Sequence, residues 1–213
     1  MNIKLINITP NAEEHIVEVA RVSSSRKDKK SNYEGLIRYL IEHKHWSPFE
    51  HAYATFEIET SKAIGIQLIR HRSFTFQEFS QRYQDVNKLG DMFEAVELRR
   101  QAEDNRQSSK EVVDPSVYVE GGFMSMSEMV QQHLTNAEKL YNLLLSEGVA
   151  RETARMVLPL CTKTKIHMTG SVRSWIHFIQ LRADEHAQKE IRSIAEAIKF
   201  ELSIALPAVF NSL

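Results

Sequence analysis

The clearest pattern in this sequence is an apolar stripe at helical spacing near its C-terminal end. Its members are Ile191, Ile194, Ala195, Ile198, Leu202 and Ala205. A stripe of this length predicts a long helix with one face buried in a core, because exposed apolar surface is unfavourable. The chain has 213 residues, 42% of them hydrophobic, which suffices for one substantial core and is short for two. We therefore predict one domain that spans residues 1–213.

Segments with strand and helix periodicity alternate irregularly before this stripe. In the first third we predict a strand at 2–8 and then a helix from a Thr9-Pro10 cap to Val22, followed by a mobile loop at 23–30. A Ser31–Glu34 capping box predicts a second helix. After it we predict a strand at 52–58 and a helix that is capped by Thr60 or Ser61 and reaches Arg70. Later we predict irregular helix plus a surface excursion at 84–120, helices at 127–147 and 150–158, a strand at 162–169, and a helix through Trp175 and Phe178. The final helical stripe should end at Pro207. Without a βαβ glycine signature or a repeat, this order predicts an α+β fold, a mixed sheet packed with long helices.

Charge and the lack of long apolar runs exclude several classes of protein. The chain carries 27 basic and 28 acidic residues, so no overall field draws it toward nucleic acid or a membrane. Its first ten residues do not read as a signal peptide, and no run of 18 apolar residues occurs. Cys161 is the only cysteine and lies in an apolar stretch, which indicates a buried, non-catalytic residue in a reducing compartment. We expect a cytoplasmic protein without nucleic-acid or membrane partners.

The densest polar cluster covers residues 70–83, directly after an apolar segment that keeps it near the core. Such a run is unfavourable unless its polar groups find partners. If its second half is extended, Glu78, Ser80 and Arg82 share one face, which suits a polar, anionic small molecule. Two other interpretations stay open: a solvated edge strand with internal Arg–Glu pairing, and a small RNA-binding patch, against which the near-zero net charge argues.

The same cluster carries a recognisable motif. The triplet RHR at 70–72 is followed by seven residues and then Ser80, and FQEFSQRY at 76–83 extends the pattern. Further blocks in order are ARVSS at 20–24, HxxPFEH at 45–51, ARETARMVLP at 150–159 and LRADEHAQKEI at 181–191. Together they resemble the flavin-dependent thymidylate synthases over essentially the whole chain.

The resemblance implies a dUMP site in which arginines hold the phosphate and polar groups of the signature segment bind the uracil. The matching positions are Gln67, Arg70, Glu78, Ser80, Arg82, Arg155 and Arg182. Catalytic roles are implied for Glu78, Ser80, Arg82 and Arg182, with Arg182 polarising the pyrimidine. Arg155 also follows Arg151 by four residues, so one helix face could present both to an anion, a solvated basic face being the alternative.

The resemblance also implies FAD as the cofactor. The matching positions are Ser23, His45, Ser47, Glu50, Arg70, His71, Arg72, Gln77, Glu78, Arg173, His177 and His186. Most are cationic or hydrogen-bonding, which fits a dinucleotide with a pyrophosphate and needs no glycine-rich phosphate loop. His177 occupies a place where the family often has asparagine. Thr75, Gln77 and Ser171 also depart from the family pattern, but each keeps a hydrogen-bonding group, so the departures concern fine details of the flavin contacts.

A metal site is the alternative for the histidines at positions 43, 45 and 51, since His43 and His45 would share a strand face. No carboxylate cluster has a recognised metal spacing, and the HxxPFEH block matches the flavin family better. We therefore expect no metal. Trp46, Trp175 and Phe178 are expected to be core residues rather than cofactor stackers.

The reaction implied by the resemblance uses several small molecules. NADPH reduces bound FAD, 5,10-methylenetetrahydrofolate gives its methylene to C5 of the uracil of dUMP, and the reduced flavin delivers hydride to complete the methyl group. Such a route needs no cysteine nucleophile. The family also implies a homotetramer with active sites shared between subunits, located in the cytoplasm, or in the host cytoplasm for a viral protein.

Overall fold

The computed structural model describes residues 2–23, 33–103, 105–106 and 108–213. The helices are α1 (Ala12–Arg21), α2 (Tyr33–Glu42), α3 (Lys62–Leu68), α4 (Met126–Ser146), α5 (Arg151–Ala154), α6 (Val172–Arg182), α7 (Lys189–Ala205) and α8 (Pro207–Phe210), with 3-10 helices at Ser47–His51, Val86–Leu89 and Arg155–Val157. The strands are β1 (Asn2–Ile8), β2 (Tyr53–Ser61), β3 (Thr75–Glu78), β4 (Arg99–Gln101), β5 (Ser109–Val112), β6 (Ser116–Val119), β7 (Gly122–Ser125) and β8 (Lys163–Ser171). The α+β prediction is confirmed.

A four-stranded sheet with the order β1-β2-β8-β3 is accompanied by the hairpins β4–β5 and β6–β7. Residue contacts group the chain into two compact units: Glu59–Ile66 with Glu78–Lys165, and Asn2–Ile58 with Gln67–Gln77 and Ile166–Leu213. We call these the first and the second unit. The expectation of a single domain stays a prediction.

The core of the second unit is built around Trp175 of α6, which is fully buried. Its ring centroid lies 5.0 Å from that of Phe56, 4.6 Å from that of Phe74 and 5.8 Å from that of Phe178. The indole Nε1 donates a hydrogen bond to the Ala54 carbonyl at 3.1 Å, so the one polar atom of this side chain is satisfied. Trp175 and Phe178 are core residues, as predicted.

The first unit has its own apolar cluster of Val86, Met92, Tyr141 and Ala154. Helix α4 begins at a capping box, in which the Ser125 hydroxyl accepts from the Glu128 amide at 3.2 Å and the Glu128 carboxylate accepts from the Ser125 amide at 2.9 Å. The helix is followed by Gly148 at a φ of 79°, a conformation that favours glycine.

Several element boundaries differ from the predictions. Thr9 does not cap α1, because its hydroxyl accepts from the Tyr53 amide at 2.9 Å and the helix begins only at Ala12, after Asn11 in the left-handed region. Helix α3 ends at Leu68, two residues before the predicted end. Residues 24–30 of the predicted loop lie outside the described residues. The same holds for Ser31, the first residue of the predicted capping box.

The segment 84–120 was predicted as irregular helix plus a surface excursion. Its described residues contain one short 3-10 helix, at Val86–Leu89, and also three strands that the prediction did not include. Strands β6 and β7 pair in register from Ser116 opposite Ser125 to Val119 opposite Gly122. Strand β5 is exposed at all four positions, so no apolar alternation marks it in the sequence.

Helix α8, which follows α7 directly at Pro207, is attached to α1 through Glu13. The Glu13 carboxylate is buried and accepts from the Val209 amide at 3.1 Å. Burial raises the pKa of this carboxyl, while the amides of Val209 and Ala208 act in the opposite direction. The first and last helices are therefore joined by a buried polar contact.

No helix in the described parts of the chain combines the length and the apolarity that crossing a membrane requires.

Gly170 of β8 lies directly beneath the ring of Phe74, and a Cβ at this position would overlap that ring. We therefore expect Gly170→Ala to lower the free energy of unfolding by about 1–3 kcal/mol, as overpacking does in close-packed cores. Urea unfolding followed by circular dichroism measures this change. In the Phe74→Ala background the same substitution should have little effect, since the clashing ring is gone. Equal stability of Gly170→Ala and the unsubstituted protein would contradict the close packing described here.

Candidate functional site

A cavity of about 330 Å³ lies in the second unit beside α6. Arg173, His177 and Gln180 line it from one helix face, since residues separated by three or four positions lie above one another. The 3-10 helix Ser47–His51 supplies Glu50, and Trp46 precedes that helix. Trp46 is half-buried and lines this cavity. The prediction that it is a core residue is therefore wrong.

Glu50 connects two groups at this cavity. Its Oε2 accepts from the Ser171 hydroxyl at 2.8 Å, and its Oε1 accepts from Arg173 Nη1 at 2.7 Å. Ser171 in turn caps α6 by accepting from the Ser174 amide at 3.2 Å. The Arg173 side chain is 50% exposed, so much of its guanidinium remains accessible to a ligand. The structure thus brings together Glu50, Arg173 and His177, three of the residues predicted to bind flavin.

A second pair joins the RHR motif to the end of α6. Arg182 Nε donates to His71 Nε2 at 2.9 Å, and the imidazole packs edge-on against Phe178 with centroids 4.9 Å apart. Burial, the neighbouring Arg182 and His177 together lower the pKa of His71 to about 4. At neutral pH His71 is therefore a neutral acceptor, and Arg182 keeps an uncompensated positive charge in this contact.

Gln67, in the last turn of α3, forms a hydrogen bond with Gln188 of the motif block at 181–191. Its Nε2 donates to Gln188 Oε1 at 2.6 Å, while Gln188 Nε2 donates to Glu190 Oε2 at 2.9 Å. A carboxylate cannot donate, so Glu190 determines which end of the Gln188 amide faces Gln67. The amide of Gln67 is thereby held with its nitrogen toward Gln188.

In the first unit, Glu78 is held from two sides. Its Oε1 accepts from Lys62 Nζ at 2.8 Å and from the Thr164 hydroxyl at 2.8 Å. The predicted common face of Glu78, Ser80 and Arg82 is wrong, because β3 ends at Glu78 and the chain then turns. In the turn the Ser80 carbonyl accepts from the amides of residues 83 and 84 at 3.1 and 2.9 Å.

Arg155 does not share a continuous helix face with Arg151. Helix α5 ends at Ala154, and Arg155 begins a 3-10 helix that alters the spacing. Arg155 is half-buried and its Nε donates to the Glu152 carbonyl at 3.3 Å, whereas Arg151 is exposed.

The remaining predicted residues lie at the surface. Exposed positions are Ser23, His45, Ser47, Arg70, Arg72, Gln77, Arg82 and His186. His186 Nδ1 lies 2.8 Å from Asp184 Oδ1, and hydrogen bonds from His186 lower the pKa of that carboxyl. His43 and His45 lie in the turn after α2, not on a strand as predicted, with centroids 6.1 Å apart. No group of three or more potential metal ligands occurs among the described residues.

Sequence reasoning missed several residues that the structure adds to these sites. Gln180, Ser73 and Ser174 line the cavity, Lys62 and Thr164 hold Glu78, and Gln188 holds Gln67. Gln180 could have been found, because it lies seven residues after Arg173 and three after His177 on one helix. The partners of Glu78 and Gln67 come from distant segments, and no local spacing indicates them.

The donors at the cavity fit part of a flavin. Arg173, the imidazole of His177 and the Gln180 amide can bind carbonyl oxygens and ring nitrogens, and Trp46 offers an aromatic surface. The volume lies at the lower end of the range for ligand pockets, which suits a ring system rather than a whole dinucleotide.

Comparison with known proteins agrees with these observations. Residues 4–208 match the family model described as thymidylate synthase complementing protein. A probable flavin-dependent thymidylate synthase of Paramecium bursaria Chlorella virus 1 is 38% identical over 100% of this chain and 99% of its own length. Flavin-dependent thymidylate synthases of Synechocystis sp. and Kosmotoga olearia are 42% and 36% identical, over 86% and 92% of this chain and 81% and 83% of their own lengths. This chain therefore belongs to the flavin-dependent thymidylate synthase family.

Proposed function

We propose that this enzyme converts dUMP to dTMP, with 5,10-methylenetetrahydrofolate as the one-carbon donor and NADPH-reduced FAD as the hydride donor. Family membership supports the reaction class. The observation that carries the proposal is the Arg182–His71 pair, in which a guanidinium is bound to a neutral imidazole at 2.9 Å. Such a cation can stabilise negative charge that develops on a pyrimidine ring.

The nucleotide would be bound by arginines and polar groups of the signature segment. We assign dUMP binding to Gln67, Arg70, Glu78, Ser80, Arg82, Arg155 and Arg182. Arginine forks match phosphate oxygens in a bidentate manner, and the fixed amide of Gln67 and carboxylate of Glu78 are suited to directional hydrogen bonds. Glu78, Ser80, Arg82 and Arg182 would be the residues that contact the reacting nucleotide.

FAD would be held by the residues at the α6 cavity and by the surface residues of the motif blocks. We assign its binding to Ser23, His45, Ser47, Glu50, Arg70, His71, Arg72, Gln77, Glu78, Arg173, His177 and His186. Glu50 orients Arg173 through the contact at 2.7 Å, and the neutral His71 can hydrogen-bond without adding charge. When bound, the reduced flavin supplies the hydride.

The environment of Cys161 supports a route without a cysteine nucleophile. Burial raises the pKa of its thiol, with the nearby Glu94 acting in the same direction. A reactive cysteine needs the opposite, an environment that favours the thiolate. Activation of the pyrimidine is therefore assigned to the electrostatics of Arg182.

The assembly we propose is a homotetramer in the cytoplasm, with sites completed by neighbouring subunits. Helix α7 buries one face in the second unit and leaves Phe200 and Ile204 exposed, 64% and 65% respectively. Large apolar side chains one turn apart on a helix surface are typical of an interface between subunits.

The first test is the visible absorption spectrum of the purified, untagged protein, followed by anaerobic addition of NADPH with and without dUMP. We expect bound flavin whose bleaching by NADPH is faster when dUMP is present. A colourless protein that neither takes up FAD nor binds dUMP would refute the proposed function. Binding of dUMP without flavin or turnover would indicate a nucleotide-binding module instead, and salt-sensitive RNA binding would indicate an RNA-binding protein.

Arg82→Ala should weaken dUMP binding about 10- to 100-fold, the range expected for loss of a hydrogen bond to a charged group. Arg82 is exposed, so the melting temperature should change little. Calorimetric titration with dUMP and a thermal melt measure the two effects. Arg38→Ala, an exposed arginine of α2, is the matched control and should alter neither. Unchanged dUMP affinity in Arg82→Ala would remove Arg82 from the site.

His71 should titrate with a pKa of about 4 in an NMR experiment on its ring protons. Arg182→Ala should raise this pKa only part of the way toward 6.5, because burial is the larger cause and persists. Between pH 6.5 and about 4 the His71 imidazole binds a proton more readily in the unfolded chain than in the folded protein. The contribution of His71 to the free energy of unfolding therefore decreases as the pH falls from 6.5 toward 4. Arg38→Ala is again the control, and a His71 that titrates near 6.5 in the unsubstituted protein would contradict the described contact.

A further inference from the structure

The amide of Gln67 ends a chain of three side chains whose hydrogen bonds all run in one direction. Glu190 Oε2 accepts from Gln188 Nε2 at 2.9 Å, and Gln188 Oε1 accepts from Gln67 Nε2 at 2.6 Å. An ionised carboxylate can only accept, so the first contact fixes the Gln188 amide and the second fixes the Gln67 amide. We call Gln67, Gln188 and Glu190 the amide relay. It determines which polar atom of Gln67 is turned away from the protein.

The oxygen of the Gln67 amide is the atom that the relay leaves available. In the described parts of the chain Gln67 Oε1 has no hydrogen-bond partner, whereas the buried side-chain atoms without a partner there belong to Thr60 and Gln81. Gln67 Oε1 is therefore in contact with solvent, and a ligand can reach it. The residue as a whole is half-buried. An accessible acceptor on a side chain that is otherwise held in place is suited to bind a donor group of a ligand.

The backbone at both ends of the relay is fixed by the core of the second unit. Gln67 precedes the fully buried Leu68 in α3. Gln188 directly precedes α7, in which Ile191 is fully buried, and the Gln188 carbonyl accepts from the Arg192 amide at 3.0 Å. Because packed residues anchor both backbones, the remaining freedom lies in the rotation of the two amide groups. The carboxylate of the relay removes that freedom.

The relay and the Arg182–His71 pair connect the same two segments of the chain. The relay contact joins residue 67 to residue 188, and the pair joins residue 71 to residue 182 at 2.9 Å. The His71 amide also donates to the Leu68 carbonyl at 3.1 Å, so His71 follows the end of α3 directly. The acceptor of Gln67 and the cation of Arg182 are thus held on one pair of segments, and we assign both residues to the nucleotide.

We propose that Glu190 and Gln188 are positioning residues for nucleotide recognition, which hold the Gln67 amide so that its oxygen accepts a hydrogen bond from the nucleotide. The inference rests on the proposed function, in which dUMP is the substrate and Gln67 binds it. The nucleotide carries two donors that suit such an acceptor, the N3–H of the uracil and the 3′-hydroxyl of the sugar. A nucleotide that lacks the donor in question leaves the acceptor unpaired and is disfavoured.

Glu190→Gln is the first test variant, because glutamine has the same shape and its amide can donate as well as accept. The Gln188 amide can then turn over, and the Gln67 amide can turn with it. We expect roughly three- to tenfold weaker dUMP binding to the full-length, FAD-loaded protein in a calorimetric titration, as for the loss of one hydrogen bond. Glu196→Gln removes the same charge from an exposed position of α7 and should leave dUMP binding unchanged.

Gln188→Glu combined with Glu190→Gln restores the direction of the relay. The carboxylate at position 188 then accepts from Gln67 Nε2 and from the amide at position 190, so the Gln67 amide is fixed again. The double variant also has the net charge of the unsubstituted protein. We expect its dUMP affinity to recover to within about twofold, since the two changes compensate within one network. A merely structural role of Glu190 would change the melting temperature without this loss and recovery of affinity.

Two analogues of dUMP identify the donor that Gln67 binds. The monophosphate of 2′,3′-dideoxyuridine lacks the 3′-hydroxyl, and dCMP has no hydrogen on N3. The analogue that lacks the donor should bind Glu190→Gln no more weakly than it binds the unsubstituted protein. The other analogue should lose the same factor as dUMP.

Unchanged dUMP affinity in Glu190→Gln would overturn the inference and leave the proposed function intact, since the unsubstituted protein would still bind dUMP. Equal loss for dUMP and both analogues would overturn it as well, and so would a double variant without recovery. In both cases the effect would not depend on the direction of the relay. Failure of the unsubstituted protein to bind dUMP would instead refute the proposed function.

Discussion

The buried side chain of Trp175 organises the unit that contains most of the predicted flavin residues. Its ring contacts Phe56 of β2, Phe74 after the RHR triplet and Phe178 one helical turn later, while its nitrogen binds the β2 backbone. Because packed cores do not deform continuously, these contacts determine where α6 lies against the strand. The face of α6 opposite the core then carries Arg173 and His177 toward the cavity, and its last turn carries Arg182 toward His71.

The polar groups of the site residues make defined hydrogen bonds, Glu50 and His71 in the second unit and Glu78 in the first. Glu50 has one oxygen on a hydroxyl and the other on a guanidinium, whereas Glu78 commits a single oxygen to the protein. His71 is kept neutral by burial and by the adjacent cation. The protein thus holds donors, acceptors and a positive charge at defined positions, which is the preorganisation on which electrostatic catalysis depends.

Sequence reasoning located the elements that bury one face and missed those that do not. Burial of one face gives the apolar residues of an element a regular spacing. This spacing predicted the helices α1, α2, α4, α6 and α7 and the strand β2. The hairpin strand β5 is exposed throughout and left no such period. In the site, motif resemblance predicted Glu50 and Arg173 as flavin ligands but not the contact between them. That contact joins residues 123 positions apart, and Ser171 lies 121 positions from Glu50. Local spacing cannot encode a contact of that range.

The contact between Glu13 and Val209 has a consequence for how the chain folds during synthesis. These residues are 196 positions apart, and the second unit draws its residues from both ends of the sequence, Asn2–Ile58 and Ile166–Leu213. Its N-terminal strands and helices leave the ribosome long before α6, α7 and α8, which pack against several of them, have been made. They must wait with apolar faces uncovered, a situation that slows folding and favours aggregation. The first unit, most of which is the continuous segment Glu78–Lys165, is complete earlier and can fold before the other closes.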